Sequence, residues 1–445
     1  MSDAIEIVPV TQPFQATVRV PGSKSITNRA LPLAALSRGD IVLTGVLFAD
    51  DTWQMMNALQ TLGYNLRMDQ KRRQVYIVGR GGDVPPGEGK TLLCGNSGTT
   101  IRFLAALLTL GQGDYVLDGV ARMRQRPIDQ LVDQLRALGA EIAYEAKSGF
   151  PPIRIRARGL AGGGCQFSDA KSSQYISAVL LAAPYAAEDV VVNLLGPVTS
   201  EPYVMMTLRM MEQFGVVALL QDHCTQTASR AIRVPRGAYR VPAGGIYAIE
   251  PDASNASYFL AAAAVVPGSR VTVAGLGRNS LQGDVAFADV LGQMGATVEW
   301  LPEGVTVSAP SGGGGRLVGV DLDMNHIPDM VQTLAVVALF AEGPTTIRNV
   351  WNLRVKETDR LAALESELRQ LGATVETTND SIRITPPPGG KLTPATIKTY
   401  DDHRMAMSFA VAGLRGAGIR IENPACTAKT YPEFFGDLRE IFTAQ

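Results

Sequence analysis

Six short segments of this 445-residue chain concentrate the residue types that hold and move charge. They are Gly22–Arg29 (GSKSITNR), Gly95–Arg102 (GNSGTTIR), Asp169–Ser177 (DAKSSQYIS), Glu250–Ser257 (EPDASNAS), Asp323–Met330 (DMNHIPDM) and Thr399–Met407 (TYDDHRMAM). Each is rich in Ser, Thr, Asn, Asp or Gly and stands just ahead of an apolar run, which is the composition of a helix N-terminus. Taken singly, each reads as a cap. Taken together, they describe anion binding, because exposed N–H groups and the positive ends of helix dipoles hold phosphate and carboxylate. Basic side chains occur at the same places: Lys24, Arg29, Arg126, Lys171, Lys356, Arg360, Arg404 and Lys429. An isolated Lys or Arg is ordinarily a solvated surface charge. Grouped in this way they suit two anionic ligands while the formal net charge stays at −1.

The elements that must position these segments repeat along the chain. An apolar helix, a turn and a short β-like run recur at Arg29–Val46, Phe103–Val120, Val179–Gly196, Phe259–Leu276, Leu334–Val350 and Phe409–Ala425. A second, amphipathic helix follows each copy. Several of these helices end in a glycine stop before a strand: ALGAEIAYE after Arg136, MGATVEW after Gln293 and LGATVETT after Gln370. Glycine suits a helix C-terminus because it accepts positive φ. The pattern predicts an α/β protein of six βα-rich units, each too small to bury its own apolar helix. Helices apolar nearly all round belong at the centre, with sheets wrapped around them. Six units suggest two lobes of three. A Pro/Gly-rich passage at Pro235–Gly245 and a strand–Pro-Gly passage at Val18–Gly22 place the boundaries. One lobe would comprise residues 1–22 plus 250–445, and the other residues 23–249. A single sheet with coincidental similarity accounts less well for helix, turn and strand recurring in the same order.

Composition excludes several function classes. Hydrophobic content of 46% with 19% charged residues describes a globular protein, and the near-zero charge argues against a nucleic-acid binder with a broad basic field. Cys94, Cys165, Cys224 and Cys426 are too scattered for a zinc ribbon or a disulfide framework, so a reducing cytoplasm is expected. With His223, His326 and His403 as the only histidines, no metal site and no cofactor are expected. His326 and His403 suit structural hydrogen bonding as well as proton transfer. The first ten residues (MSDAIEIVPV) lack the pattern of a signal peptide, and apolar stretches such as Tyr258–Pro267 are too short to span a bilayer. A monomer free of membrane and nucleic acid is expected. Gly89-Lys90-Thr91 lacks the first glycine of a phosphate-binding loop, since Val84 stands there, and reads as a turn. Gly275-Leu276-Gly277 lacks the third glycine of a dinucleotide fingerprint, Ser280 standing in its place. Gly312–Gly315 reads as a flexible loop.

The segments GSKSITNRAL, GNSGTTIR, RQRPI, SSQYISAVLL, SEPY, DASNASYF, DMNHIPD, VKETDR, DDHRMAM and CTAKTYP, in this order from Gly22 to Pro432, closely resemble the signature segments of the EPSP synthases. The resemblance implies the two-lobed enolpyruvyl-transferase fold, with βαβαββ-type repeats arranged three per lobe around buried helices. It implies shikimate 3-phosphate held by Lys24, Ser25, Arg29, Ser172, Ser173, Gln174, Ser200, Tyr203, Asp329, Asn352 and Lys356. Phosphoenolpyruvate would be held by Lys24, Gly98 (through its backbone), Arg126, Gln174, Arg360, Arg404 and Lys429. Arginine suits that task because its planar fork pairs bidentately with carboxylate and phosphate.

The implied reaction is addition followed by elimination. The 5-hydroxyl attacks C2 of phosphoenolpyruvate while C3 gains a proton; loss of phosphate and of a C3 proton then restores the enol ether. Carboxylates tuned by their surroundings can move these protons. Asp329 is assigned to the hydroxyl, and Glu357 with Lys24 to C3. The plain alternative for Glu357 and Asp359 is that both are first-turn acids favoured by the helix dipole. A related family transfers enolpyruvate to UDP-N-acetylglucosamine and carries a cysteine five residues before the arginine of its RPI/RPV-like motif; Ala121 stands there in this chain. A non-catalytic anion-binding module of the same fold is the other alternative. Phe103 and Thr27 depart from residues common in the family, without removing an expected contact. Gly98 implies sensitivity to the inhibitor glyphosate, because backbone there can approach without a Cβ.

Overall fold

The computed structural model describes residues 4–223, 229–310 and 316–443. Cys224 and the Gly312–Gly315 loop lie outside the described residues. The chain divides into two compact units: Gly22–Ile249, and Met1–Pro21 together with Glu250–Gln445.

Within Gly22–Ile249, three four-stranded sheets share one plan. Lys90–Leu93 runs parallel to Gln112–Asp118, which pairs antiparallel with Ile153–Arg158, itself antiparallel to Glu141–Tyr144. Gly163–Ser168, Val190–Leu195, Ser229–Val234 and Leu219–His223 repeat that order, as do Ile246–Ala248, Arg38–Thr44, Gln74–Arg80 and Leu66–Asp69. In the other unit the plan recurs in Gln15–Val18, Arg270–Ala274, Gly304–Ser308 and Thr297–Leu301. It recurs again in Asp321–Asp323, Thr345–Arg348, Ile382–Thr385 and Thr374–Thr377. The sixth copy differs. Ala395–Ile397 and Ile419–Glu422 pair as expected, and the third strand, Ala4–Glu6, comes from the beginning of the chain.

The parallel pairs explain how one chain builds two units. Gln15–Val18 precedes the first apolar helix in sequence yet pairs with Arg270–Ala274, and Ile246–Ala248 precedes the fourth yet pairs with Arg38–Thr44. The chain therefore leaves one unit after Pro21 and returns at Glu250. The backbone amide of Asp252 donates to Pro21 O at 2.8 Å, fastening the departing and returning ends together.

The apolar helices are enclosed, as their lack of a polar face requires. Every residue of Gly98–Leu108, Ala253–Val265, Val331–Val337 and His403–Gly413 is buried. In Ser173–Ala182 only Gln174 is not, and in Lys24–Leu36 only the first two residues are not. Three of these helices are joined by hydroxyls in the core: Ser257 Oγ lies 3.1 Å from Thr333 Oγ1, which lies 3.3 Å from Ser408 Oγ. Gly139, Gly295 and Gly372 adopt φ of 97°, 102° and 95°, each ending an amphipathic helix before its strand. Gly89 forms a turn, and Lys90 opens a strand rather than a helix, its Nζ donating to Leu62 O at 3.2 Å. Among the described residues, no helix is long and apolar enough to cross a membrane.

Candidate active site

Side-chain caps form on five of the six helix starts. Ser23, Ser97, Ser172, Asp252 and Asp402 accept from the amides of Ile26, Thr100, Gln174, Asn255 and Arg404. The sixth start is different: a tight 3-10 turn, Pro328–Met330, leads into Val331–Val337 without a side-chain cap. Asp329 sits in that turn, and its carboxylate is left to face charged side chains.

In the Gly22–Ile249 unit, Lys24 is the first residue of its helix, and its ammonium lies 3.6 Å from the nearly buried carboxylate of Asp51. The carbonyl of Asp51 accepts from the hydroxyls of Ser97 and Thr100, both at 3.2 Å. Asp51 thus ties Lys24 to the start of the Gly98–Leu108 helix. Gly98 is the first residue of that helix, beside Arg126, which is 5% exposed and donates through Nη1 to Asn96 O at 2.9 Å. Arg126 Nε is buried with no hydrogen-bond partner among the described residues. Gln174 is held on both ends, accepting from Arg102 Nη1 and donating to Thr99 Oγ1 at 3.2 Å. Ser172 caps the helix that Ser173 begins, and Ser200 takes left-handed backbone (φ 57°) just before Glu201–Gln213, the helix that carries Tyr203.

Arg29 is 1% exposed. Its Nε donates to Thr207 Oγ1 at 2.7 Å, Nη1 to Ser25 O at 3.0 Å, and Nη2 to Ser177 Oγ at 3.3 Å and Tyr203 O at 3.1 Å. These bonds use all but one of the guanidinium's five N–H donors, leaving one on Nη1. Burial lowers its pKa to about 10, so it remains a cation at neutral pH.

In the other unit, Asp329 lies among three cations: Arg360 Nη1 at 3.1 Å, Arg404 Nη2 at 2.9 Å and Lys356 Nζ at 3.6 Å. Glu357 Oε2 meets Arg360 Nη2 at 3.0 Å, and its Oε1 lies 4.0 Å from Lys429 Nζ. Four cations here face three carboxylates, the third being Asp402. Asp402 has no exposure, takes Arg360 Nε at 2.7 Å, and caps the helix that brings Arg404. Burial alone would lower the Arg360 pKa, but Asp402, Glu357 and Asp329 outweigh it and raise it, so Arg360 is a permanent cation. Arg404 Nη1 also donates to Tyr258 OH at 3.4 Å. Asn352 is 2% exposed, and its Oδ1 has no hydrogen-bond partner among the described residues. No group of three His, Cys, Asp or Glu side chains among the described residues is placed to hold a metal ion.

Glu357 and Asp359 separate clearly. Asp359 is an ordinary cap, accepting from Ala362 N at 3.1 Å and pairing with Arg354. Glu357 lies in the bend before that helix and faces Arg360 and Lys429 instead. The structure brings Asp329, Lys356, Glu357, Arg360, Arg404 and Lys429 into one ionic cluster in their unit. Lys171 is spent elsewhere, 3.2 Å from Asp129. Sequence reasoning missed Asp51, Arg102, Tyr258 and Asp402. Asp402 carried a usable signal, an acid at the capping position directly before a mostly apolar helix. Asp51 carried none, because its partner Lys24 is remote in sequence.

Clustered, largely buried cations of this kind suit small dianions. Relatives named 3-phosphoshikimate 1-carboxyvinyltransferase from Enterobacter sp. (strain 638) and from Escherichia coli O1:K1 / APEC are 46% identical over 441 and 439 residues, covering 99% of this chain and of each of them. A solved EPSP synthase from Acinetobacter baumannii superposes with a TM-score of 0.80 at 28% identity, covering 98% of this chain and 97% of that one. The family model described as EPSP synthase (3-phosphoshikimate 1-carboxyvinyltransferase) matches residues 8–438, and the chain belongs to that family.

Proposed function

We infer that this protein transfers the enolpyruvyl group of phosphoenolpyruvate to the 5-hydroxyl of shikimate 3-phosphate and releases phosphate. The observation that carries the reading is the pair Asp329 and Glu357, two carboxylates each bonded to buried arginine and each within 4.0 Å of a lysine. Cations that now pair with these acids become available to a bound phosphate and carboxylate.

In this reading Lys24, Ser25, Arg29, Ser172, Ser173, Gln174, Ser200, Tyr203, Asp329, Asn352 and Lys356 hold shikimate 3-phosphate. The free Nη1 hydrogen of Arg29 and the open Oδ1 of Asn352 support their places in the set. Lys24, the backbone of Gly98, Arg126, Gln174, Arg360, Arg404 and Lys429 hold phosphoenolpyruvate. Asp329 accepts the proton of the 5-hydroxyl as it attacks C2. Glu357, with Lys24, delivers a proton to C3 and then removes one as phosphate departs. Fixed cations stabilise the charge that develops on the phosphate, and because they are held before substrate arrives, little reorganisation is needed in the transition state.

Glyphosate is expected to compete with phosphoenolpyruvate, with Gly98 leaving room beside Arg126; undiminished activity at millimolar glyphosate would exclude this. The chain is proposed to act as a monomer in the cytoplasm, a compartment supported by its scattered cysteines, of which Cys94, Cys165 and Cys426 are free thiols. The central test is phosphate release by purified protein given both substrates, with the product mass confirming the enol ether. Turnover of UDP-N-acetylglucosamine alone would move the chain to the sister activity, and binding of both substrates without phosphate release would make it a non-catalytic module.

A further inference from the structure

Three non-glycine residues with left-handed backbone precede, in sequence, the elements that carry Arg404 and Lys429: Tyr400 (φ 56°), Asp401 (φ 55°) and Asn423 (φ 47°). Asn and Asp tolerate this region, whereas a tyrosine there needs surroundings that hold it. The Tyr400 hydroxyl donates to Glu367 Oε1 at 2.7 Å. Glu367 has no exposure, and its Oε2 accepts from Lys398 N at 3.1 Å and Gln370 Nε2 at 2.9 Å. Next door, Asn423 Nδ2 donates to Asp401 Oδ1 at 3.3 Å.

The places of these residues in the chain give the bonds their meaning. Glu367 lies about two turns along the helix that Arg360 opens. Tyr400 and Asp401 directly precede Asp402, which caps the helix of Arg404. Asn423 directly precedes the Pro424–Lys429 turn that ends on Lys429. Two hydrogen bonds therefore join the three elements that carry Arg360, Arg404 and Lys429. Among the described residues Glu367 pairs with no Lys or Arg, so its buried carboxylate serves the backbone and neutral side chains.

We propose that Glu367, Tyr400, Asp401 and Asn423 form a positioning frame that sets the spacing of Arg360, Arg404 and Lys429. None of the four touches substrate. They act by holding the strained turn from which the helix of Arg404 starts, and by tying it to the two neighbouring elements. This rests on the reading that those cations hold phosphoenolpyruvate.

The test is steady-state kinetics on Tyr400→Phe and Asn423→Gly, with melting temperatures recorded alongside. Asn423→Gly keeps left-handed backbone free of strain and deletes only the bond to Asp401, so it isolates the bond, and it stands if Tyr400→Phe folds poorly. Each variant is expected to raise the KM for phosphoenolpyruvate about fivefold, the scale of one hydrogen bond, with kcat and the KM for shikimate 3-phosphate within about twofold. A merely structural role would lower the melting temperature and the active fraction without moving that KM. Arg404→Lys is the reference. If it raises the KM while both frame variants leave it unchanged, the frame is overturned and the phosphoenolpyruvate reading survives. If Arg404→Lys also leaves it unchanged, that reading falls and takes this inference with it.

Discussion

A single methyl group at Gly98 tests the proposed phosphoenolpyruvate site without touching a charge. A Cβ built there would lie 2.6 Å from Arg126 Nη2, 3.0 Å from Arg126 Cζ and 3.2 Å from Arg102 Nη1. Comfortable contact begins near about 3.5 Å, so the guanidinium of Arg126 must retreat by roughly 0.9 Å. Arg126 Nη1 holds Asn96 O at 2.9 Å, and a retreat of that size stretches or breaks the bond and turns the fork away from its ligand. Misplacing one charge-assisted hydrogen bond costs about 1.5–3 kcal/mol, which is roughly a tenfold to hundredfold loss of affinity. Gly98→Ala is therefore expected to raise the KM for phosphoenolpyruvate about tenfold or more, leaving the KM for shikimate 3-phosphate within about twofold. The assay is initial-rate phosphate release with one substrate varied at saturating levels of the other. A phosphoenolpyruvate KM within twofold of the parent, in protein that melts normally, refutes the placement of Arg126 at that substrate.

Glu357→Gln keeps the shape of the side chain and removes its acid/base function; turnover should fall about a hundredfold or more, and a loss of less than about threefold would end its assignment to C3. Asp402→Asn preserves the cap but turns an amide toward the buried Arg360, so about 2–4 kcal/mol of stability should be lost, read as a lower urea midpoint. An unchanged midpoint would mean that Asp329 and Glu357 alone satisfy Arg360. Burial raises the Tyr258 phenol to about 12 from an ordinary value near 10. Both states hold that proton at neutral pH; between about pH 10 and 12 the unfolded chain releases it first, so stability falls as pH rises through that window. Tyr258→Phe should flatten this part of the urea midpoint against pH relative to the parent, and parallel curves would show that the phenol contributes nothing to it.

The six apolar helices were legible because their burial follows from having no polar face, a property each sequence window carries by itself. The strand pairings that accompany the expected placing of residues 1–22 with 250–445 were not. Nothing in QATV at Gln15–Val18 says that its parallel partner is Arg270–Ala274, because that choice is settled only when the chain returns at Glu250. The same limit applies to the third strand of the sixth sheet, Ala4–Glu6, whose partner Ile419–Glu422 lies at the far end of the chain. Sequence patterns report what a segment buries, and they report pairing only when the partner is near.

The site divides along a similar line. Cations were legible as a group because charge clustered ahead of apolar helices is costly unless something uses it. Their carboxylate partners were harder to see, since an acid at a helix start reads equally well as a cap. Asp402 is both: one oxygen caps the Arg404 amide while the carboxylate clamps Arg360, so a single residue sets a helix start and a charged side chain together. Asp51 does the same work in the other unit, with its carbonyl on Ser97 and Thr100 and its carboxylate on Lys24. At Asp402 one side chain fixes both the start of a helix and the direction of a cation, whereas at Asp51 the main-chain carbonyl serves the helix start and the carboxylate serves the cation. An acid at such a place ties secondary structure to charge placement. Substituting Asp402 should therefore disturb phosphoenolpyruvate binding and stability in the same variant, whereas Asp51→Asn keeps the main-chain carbonyl and should disturb binding through Lys24; an unchanged KM for phosphoenolpyruvate in both variants would refute this.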